Sequence, residues 1–531
     1  MLLDLLIDFL NLYGYLLLVV SILIAAKSVF GAAYCTGIRK IKGIVEPPEC
    51  EAFYGHLNVL GEDHATNLQI IGDRYNLKVF QVRFGVERAV ILHTFAEGYS
   101  WFVKNHQSAL IDRPLFYTFH KLVSNTQGLT VGTSPWDENC KRRRLAITKY
   151  MTRTALQKIQ DLIDLESCSF VKDIWKLTCE GSIGVDPHIA AQRMSFNITT
   201  MLCYAIRFDT IDSSLLLDIL KIVSQVSSFR STNNNLQDYV PIYRYLPDKR
   251  REMAKEVSKK RDVWLNDFLN RAFERSEVRE SFAGSMGTKK LSLEDLRSIC
   301  VSLVSGGFET LASITSLLLA QLSTEKGKEW QETAYQELTD AYGNDGDKLW
   351  NLVTFEEKCP FVVALIRETL RHYPVIPLCP PRKTTREFEY EGAKIPKGVT
   401  VILNCQAANH DKDHFGADAD EFNPARWFDE SLDINKPPFH FTFGAGSRVC
   451  PGILLSHRAL YATIGRMIFL FKIGPHGEKP DLNYKTYAED KTAQTWSPLP
   501  FKISLEPRGP VDKFLNRDHL QHLVELSYEH I

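Results

Sequence analysis

The ten residues Phe443-Gly444-Ala445-Gly446-Ser447-Arg448-Val449-Cys450-Pro451-Gly452 constrain this chain more than any other stretch. They carry three glycines, one cysteine and one arginine, and they run straight into the apolar segment Ile453-Leu454-Leu455. Gly444 and Gly446 permit a tight loop that can lie flat against a planar ligand, and Pro451 suits the first position of the helix predicted to follow. Cys450 is therefore expected at a helix N-terminus, where the dipole and free backbone N–H groups favour the thiolate, the form that ligates a metal. Gly452 has no side chain and lets the helix come close to a ring. Arg448 can pair with a carboxylate.

The segment matches Phe-x-x-Gly-x-Arg-x-Cys-x-Gly at every fixed position, and on it the chain resembles the cytochrome P-450 family of haem-thiolate monooxygenases. The resemblance implies a mainly α fold with minor β and a bound haem b. Cys450 would be the proximal iron ligand, and Phe443, Gly446, Arg448 and Gly452 would lie against the haem, with Arg448 on a propionate. It also implies that the helical pair Glu368 and Arg371 is completed by Arg426, from Phe422-Asn423-Pro424-Ala425-Arg426-Trp427, into a buried network that holds the haem-loop region. Trp136 resembles the tryptophan before the family's third helix, which donates toward a propionate. The arginine usual four residues later is replaced by Cys140, and the basic run Lys141-Arg142-Arg143-Arg144 follows. That run is either a propionate contact, a solvated basic face or a docking patch for an acidic redox partner. Arg382, after Pro380-Pro381, aligns with a propionate-binding arginine.

A long helix is predicted to start at a capping box formed by Ser292 and Asp295 and to run through Val304-Ser305-Gly306-Gly307-Phe308-Glu309-Thr310. Two adjacent glycines inside a helix cost about 1 kcal/mol each relative to alanine, so they need a reason. The resemblance supplies one, because the family's distal helix opens space for dioxygen with a small residue and relays protons through an acid-alcohol pair, here Glu309 and Thr310. The bland alternative is a packing notch beside an incidental Glu-Thr pair.

The apolar run from Phe9 to Ala26, preceded by Asp4 and Asp8 and followed by Lys27, Arg39, Lys40 and Lys42, predicts a spanning helix with a cytosolic C-terminal flank. The expected organisation is a membrane anchor at 1–36, a Pro47-Pro48 linker at 37–60, a catalytic domain at 61–508 and a tail at 509–531. Helical periodicity over Leu291–Leu322 and Pro451–Phe471 dominates, with a short strand at Val399–Leu403. The net charge of -1 provides no basic stripe for nucleic acid. The 11 cysteines show no CxxC pair and read as free thiols in a reducing cytosol, which would leave the sequon Asn197-Ile198-Thr199 silent.

Together the motifs predict an endoplasmic-reticulum monooxygenase that inserts one oxygen atom of O2 into an organic substrate. The resemblance implies NADPH electrons delivered by the flavoprotein NADPH–cytochrome P-450 reductase, with cytochrome b5 as a further partner. The rivals are a reductase-independent haem-thiolate isomerase or dehydratase and a non-catalytic haem carrier. Asn233-Asn234-Asn235-Leu236-Gln237-Asp238-Tyr239-Val240-Pro241 and Trp136-Asp137-Glu138-Asn139-Cys140-Lys141 look similar to fungal phenylacetate-type ring hydroxylases, which implies phenylacetate or a hydroxyphenylacetate as substrate. Pocket segments are expected at 119–132, 227–245, 375–380 and 492–500. Among their basic residues Arg230 is the first candidate for a carboxylate anchor, ahead of Lys121 and Arg244.

Overall fold

The N-terminal apolar run forms helix α1 (Leu12–Ala26), whose large side chains such as Leu16, Leu17, Leu23 and Ile24 are exposed. The computed structural model describes residues 12–26 and 39–515, except 52, 128, 234, 275–280, 284–290, 432–435 and 438. The start of the predicted anchor, Lys27 and the tail beyond Leu515 lie outside the described residues. The described α1 is shorter than the ~20 residues that cross a bilayer core. Within the segment predicted as a linker, Ile41 and Ile44 are buried, and the Gln81 amide donates to both of their carbonyls. Val45 pairs with Phe80, so the chain is already laid against the first sheet before residue 60.

Strands β1 (Val79–Phe84) and β2 (Glu87–Leu92) are rich in β-branched and aromatic residues and form an antiparallel hairpin. The later strands β3 (Arg382–Lys383), β4 (Phe388–Tyr390), β5 (Ala393–Ile395) and β6 (Thr400–Leu403) follow one another closely in the chain. β6 adds to β2 in parallel and β3 adds to β6, giving the order β1-β2-β6-β3, while β4 and β5 form their own pair. The strand expected at 399–403 is thus central in its sheet. Near the C-terminus β7 (Phe471–Pro475) pairs with β8 (Ile503–Pro507).

The rest is mostly helical. The principal helices are α2 (Glu138–Tyr150), α3 (Gln160–Leu177), α4 (His188–Tyr204), α5 (Ser214–Arg230), α6 (Lys249–Glu274), α7 (Leu293–Leu322), α8 (Pro360–His372) and α9 (Ile453–Leu470). α7 starts on the predicted capping box, with the Ser292 hydroxyl and Asp295 carboxylate each accepting the other's backbone N–H. From Leu311 to Leu322 it is buried on every side and runs along α4, which makes it the axis of the main hydrophobic core. A second core, containing Trp101, Phe102, Phe441 and Ala445, lies under the sheet and carries the Cys450 loop. Asn197 is wholly buried in α4, where its amide donates to Glu166 and Phe208, so the sequon is no acceptor. The described cysteines are all free.

Candidate active site

The loop before α9 is closed by its own backbone. Gly444 N–H donates to Phe441 O at 2.7 Å, Val449 N–H to Gly446 O at 3.0 Å and Cys450 N–H to Phe443 O at 2.9 Å. Gly446 has φ 59°, and a Cβ there would stand 1.9 Å from the Phe102 carbonyl oxygen, so only glycine lets the loop lie on the 100–104 turn. α9 begins at Ile453 with Gly452 as its N-cap, which puts Pro451 outside the helix rather than at its first position. The extra turn points the Gly452 N–H at Cys450 Sγ, 3.4 Å away. Burial pushes the Cys450 thiol up, and that N–H and the Arg144 guanidinium pull it back. A Cβ on Gly452 would meet nothing nearer than the sulfur at 3.7 Å, so packing within the protein does not demand glycine there, whereas a flat group on the sulfur would.

Four guanidiniums surround this loop: Arg113, Arg144, Arg382 and Arg448. Their acceptors are mostly carbonyls. Arg448 donates to Ile111 O at 2.8 Å and Ser134 O at 2.6 Å, Arg113 to Pro381 O at 2.8 Å, Arg382 to Leu110 O and Ala445 O, and Arg144 to Val449 O. Among the described residues none of the four has an ion pair with a carboxylate. Burial and mutual repulsion lower their affinity for the proton, pushing Arg382 down to about 9. Four unneutralised cations around one cysteine call for an anionic ligand, and a haem with two propionates matches both the donor set and the sulfur. Trp136 joins the cluster by its ring, which lies under the Arg448 guanidinium at 4.9 Å, while its backbone N–H donates to Asp112. Phe443 packs at the edge of the main core.

The basic run divides. Lys141 pairs with Glu138 on the surface, and Arg142 and Arg143 pair with Asp295 at the start of α7. Only Arg144 turns to the cysteine loop, one helical turn after Cys140. Arg113 was not legible in the sequence, because its role depends on the 380–381 carbonyls brought to it by β3.

Glu368 lies at the centre of the expected network. It pairs with Arg371 at 2.7 Å and Arg426 at 3.1 Å, and accepts from Trp427 Nε1 and Asn423 N–H. Burial alone would raise its pKa, but the two arginines outweigh that and hold it below the usual range. Asn409 links this network to the loop, donating to Arg371 O and Thr442 Oγ1 and accepting from Phe441 N–H.

On α7 the glycine pair divides its work. A Cβ on Gly306 would meet nothing within 4 Å, whereas one on Gly307 would stand 2.7 Å from Thr199 Cγ2 of α4. Gly306 thus faces open space and Gly307 is a packing notch. The Thr310 hydroxyl donates to the Gly306 carbonyl at 2.9 Å, beside that opening. Glu309, next along the helix, points elsewhere. It is buried against Ser227, Arg230 and Thr495, with Oε2 lacking a partner, and burial lifts it to about 7 against the pull of Arg230 and the two hydroxyls.

Arg230 is the last residue of α5 rather than a loop residue. Its Nε and Nη2 are buried without hydrogen-bond partners, and its guanidinium stands 5.6 Å from the Phe119 ring centre. It separates two small spaces. One is lined by Phe119, Trp264, Val301, Val304 and Ser305, the other by Pro377, Leu378, Gln494 and Trp496. Segments 119–132, 227–245, 375–380 and 492–500 therefore do converge. Arg244 is engaged with the Gln237 and Asp238 carbonyls, and Lys121 lies over Tyr117.

Comparison with known proteins agrees with this geometry. The profile of the family described as Cytochrome P450 matches residues 46–502. The chain is 38% identical to the phenylacetate 2-hydroxylase of Emericella nidulans over 90% of this chain and 92% of that protein. It is 33% identical to the 3-hydroxyphenylacetate 6-hydroxylase of the same organism, over 86% and 87%. Rat cytochrome P450 1A1 matches at 26% over 88% and 92%. A thiol under an N-cap amide, a ring of unneutralised arginines and a family profile covering most of the chain lead to one assignment: this protein is a member of the cytochrome P450 family, a monooxygenase of the haem-thiolate kind.

Proposed function

We propose that this protein hydroxylates the ring of a small aryl acid, phenylacetate or a hydroxyphenylacetate, in aromatic amino-acid catabolism, with NADPH electrons delivered by a flavoprotein reductase. The observation that carries the substrate is Arg230, a buried guanidinium with two unpartnered donors. A carboxylate leaving water loses several kcal/mol of hydration, and a fork of N–H groups returns it as charge-assisted bonds. The named activities of the two Emericella relatives support the same substrate class. Cys450 would hold a haem, with Arg113, Arg144, Arg382 and Arg448 as the donors available to its propionates, and that group would supply the activation of dioxygen. The protein's own part is to orient and to move protons. Arg230 holds the acid group, Phe119 and Val304 enclose the ring, and Gly306 leaves open space beside α7. Thr310 positions a hydroxyl there, and Glu309, turned toward Arg230, holds a proton on the substrate side of the same helix. The catalytic domain, which takes in the chain from Ile41 as well as residues 61–508, stands on the cytosolic side of the endoplasmic reticulum, with residues 9–26 as its single-pass anchor.

Difference spectra with aryl acids, sterols and fatty acids test the substrate class. A binding spectrum with a sterol or fatty acid and none with any aryl acid overturns it. Arg230→Met should raise KM for the acid by at least about tenfold, or ~1.4 kcal/mol, while leaving that of the neutral methyl ester nearly unchanged. Equal losses for acid and ester reject the anchoring role. Turnover without NADPH or reductase would favour the isomerase alternative.

A further inference from the structure

Glu309 of α7 and Arg230 at the end of α5 face each other between the two helices. Ser227 and Arg230 face Glu309 from α5, and Thr495 faces it from the segment before β8. Glu309 and Arg230 feel each other's charge, yet no ion pair within 4.0 Å joins them, and each keeps unpartnered atoms: Oε2 on the acid, Nε and Nη2 on the arginine. The two unpartnered donors of Arg230 are the complement of a ligand carboxylate. The same ligand is repelled by an ionised Glu309, because two carboxylates sharing a buried site cannot both stay charged.

The geometry points to a coupled event: docking of an organic carboxylate on Arg230 places a proton on Glu309, so that arrival of substrate loads the acid of the distal helix. The inference rests on the aryl-acid reading above and adds the regulation of that site. The other charged or titratable groups around it are occupied. Arg261 of α6 is held by Asp262 and the Val123 carbonyl, and Lys491 is paired with Asp63. His64 is bonded to Thr232 and kept neutral by burial at about 3. Asp238, raised by burial to about 6, is bonded to the Thr118 amide and hydroxyl and feels Arg244 and Arg250 rather than Arg230. Among the described residues this leaves Glu309, at about 7, as the group charge-coupled to Arg230 that exchanges a proton in the neutral range. The incoming anion draws Arg230 away and adds its own negative charge, and both changes raise the acid further. Between the free and bound values, binding takes up a proton, and affinity weakens by up to about tenfold per pH unit as pH rises. The carboxylate of the ligand titrates near ~4, outside this window.

The test uses the full-length haem-loaded protein and phenylacetate, followed by the haem difference spectrum and by calorimetry in two buffers of different ionisation enthalpy. At about pH 8 the wild-type protein is expected to take up more than about half a proton per ligand bound, and Kd to rise about fivefold or more over the next pH unit. Methyl phenylacetate should bind without uptake. Glu309→Gln, checked for its carbonyl spectrum, should bind the acid with no uptake and a flat pH dependence. Phenylacetate that binds the wild-type protein with no net proton between about pH 7 and 8.5, or uptake that persists in Glu309→Gln, overturns the coupling while leaving the substrate reading intact. No spectral shift or heat with phenylacetate or any hydroxyphenylacetate overturns both.

Discussion

The Cys450 side chain is exposed at the end of its loop; the atoms packed around it push the thiol up, and two groups, the Gly452 amide and the Arg144 guanidinium, draw it toward the thiolate. A metal cation held there would complete that bias, since a coordinating thiol is deprotonated outright. Cys450→Ala should therefore abolish the thiolate-type carbonyl absorption of the reduced protein, and a normal band in that variant would remove Cys450 from its role. Thr310 stands differently, because its hydroxyl bonds the Gly306 carbonyl of its own helix beside the open space. Thr310→Ala should keep the haem spectrum yet lower product formed per NADPH by about tenfold, the balance appearing as hydrogen peroxide. Tight coupling at the normal rate would make Thr310 a packing residue.

At the scale of elements, α8 and the 424–428 turn are joined through one carboxylate, Glu368, which serves two arginines and a tryptophan. Removing one arginine leaves a buried charge short of partners, a loss of about 3–5 kcal/mol. Arg426→Ala should thus lower the unfolding free energy by that amount and, through Asn409, weaken the thiolate band. A variant with normal denaturant stability and a normal band would show the network dispensable. The start of α7 offers a pH test. Asp295 is buried and held at about 2 by Arg142 and Arg143, whose bonds outweigh the rise from burial. Because its folded value is below the ordinary 3.8, the stability it contributes is fully present above about pH 4 and is lost as pH falls toward about 2. Asp295→Asn should lower Tm at neutral pH, and the difference should shrink across that acid window. A difference constant down to about pH 2 would contradict the ion-pair origin.

For the whole molecule, the exposed apolar face of α1 contrasts with a body whose long apolar helices, α7 and α9, are mostly buried. Deletion through Ala33 should therefore move the protein largely to the soluble fraction with its haem spectrum intact. Continued tight pelleting would reveal a second membrane surface on the body.

The sequence alone determined whatever depends on local spacing. The fixed positions around Cys450, the Ser292–Asp295 box and the Glu368–Arg371 turn all lie within one loop or one helical turn, where covalent geometry sets the contact. The start of α9 moved past Pro451 because the backbone turns to aim the Gly452 amide at the sulfur, which no propensity encodes. Only the tertiary structure decided which member of Lys141-Arg142-Arg143-Arg144 faces the cysteine, since Asp295 claims two of them from another helix. It likewise brought Arg113 to the 380–381 carbonyls and Glu309 to Arg230 across the gap between α7 and α5. Those contacts join residues far apart in the chain, and their energies come from burial and charge that exist only once the helices have packed.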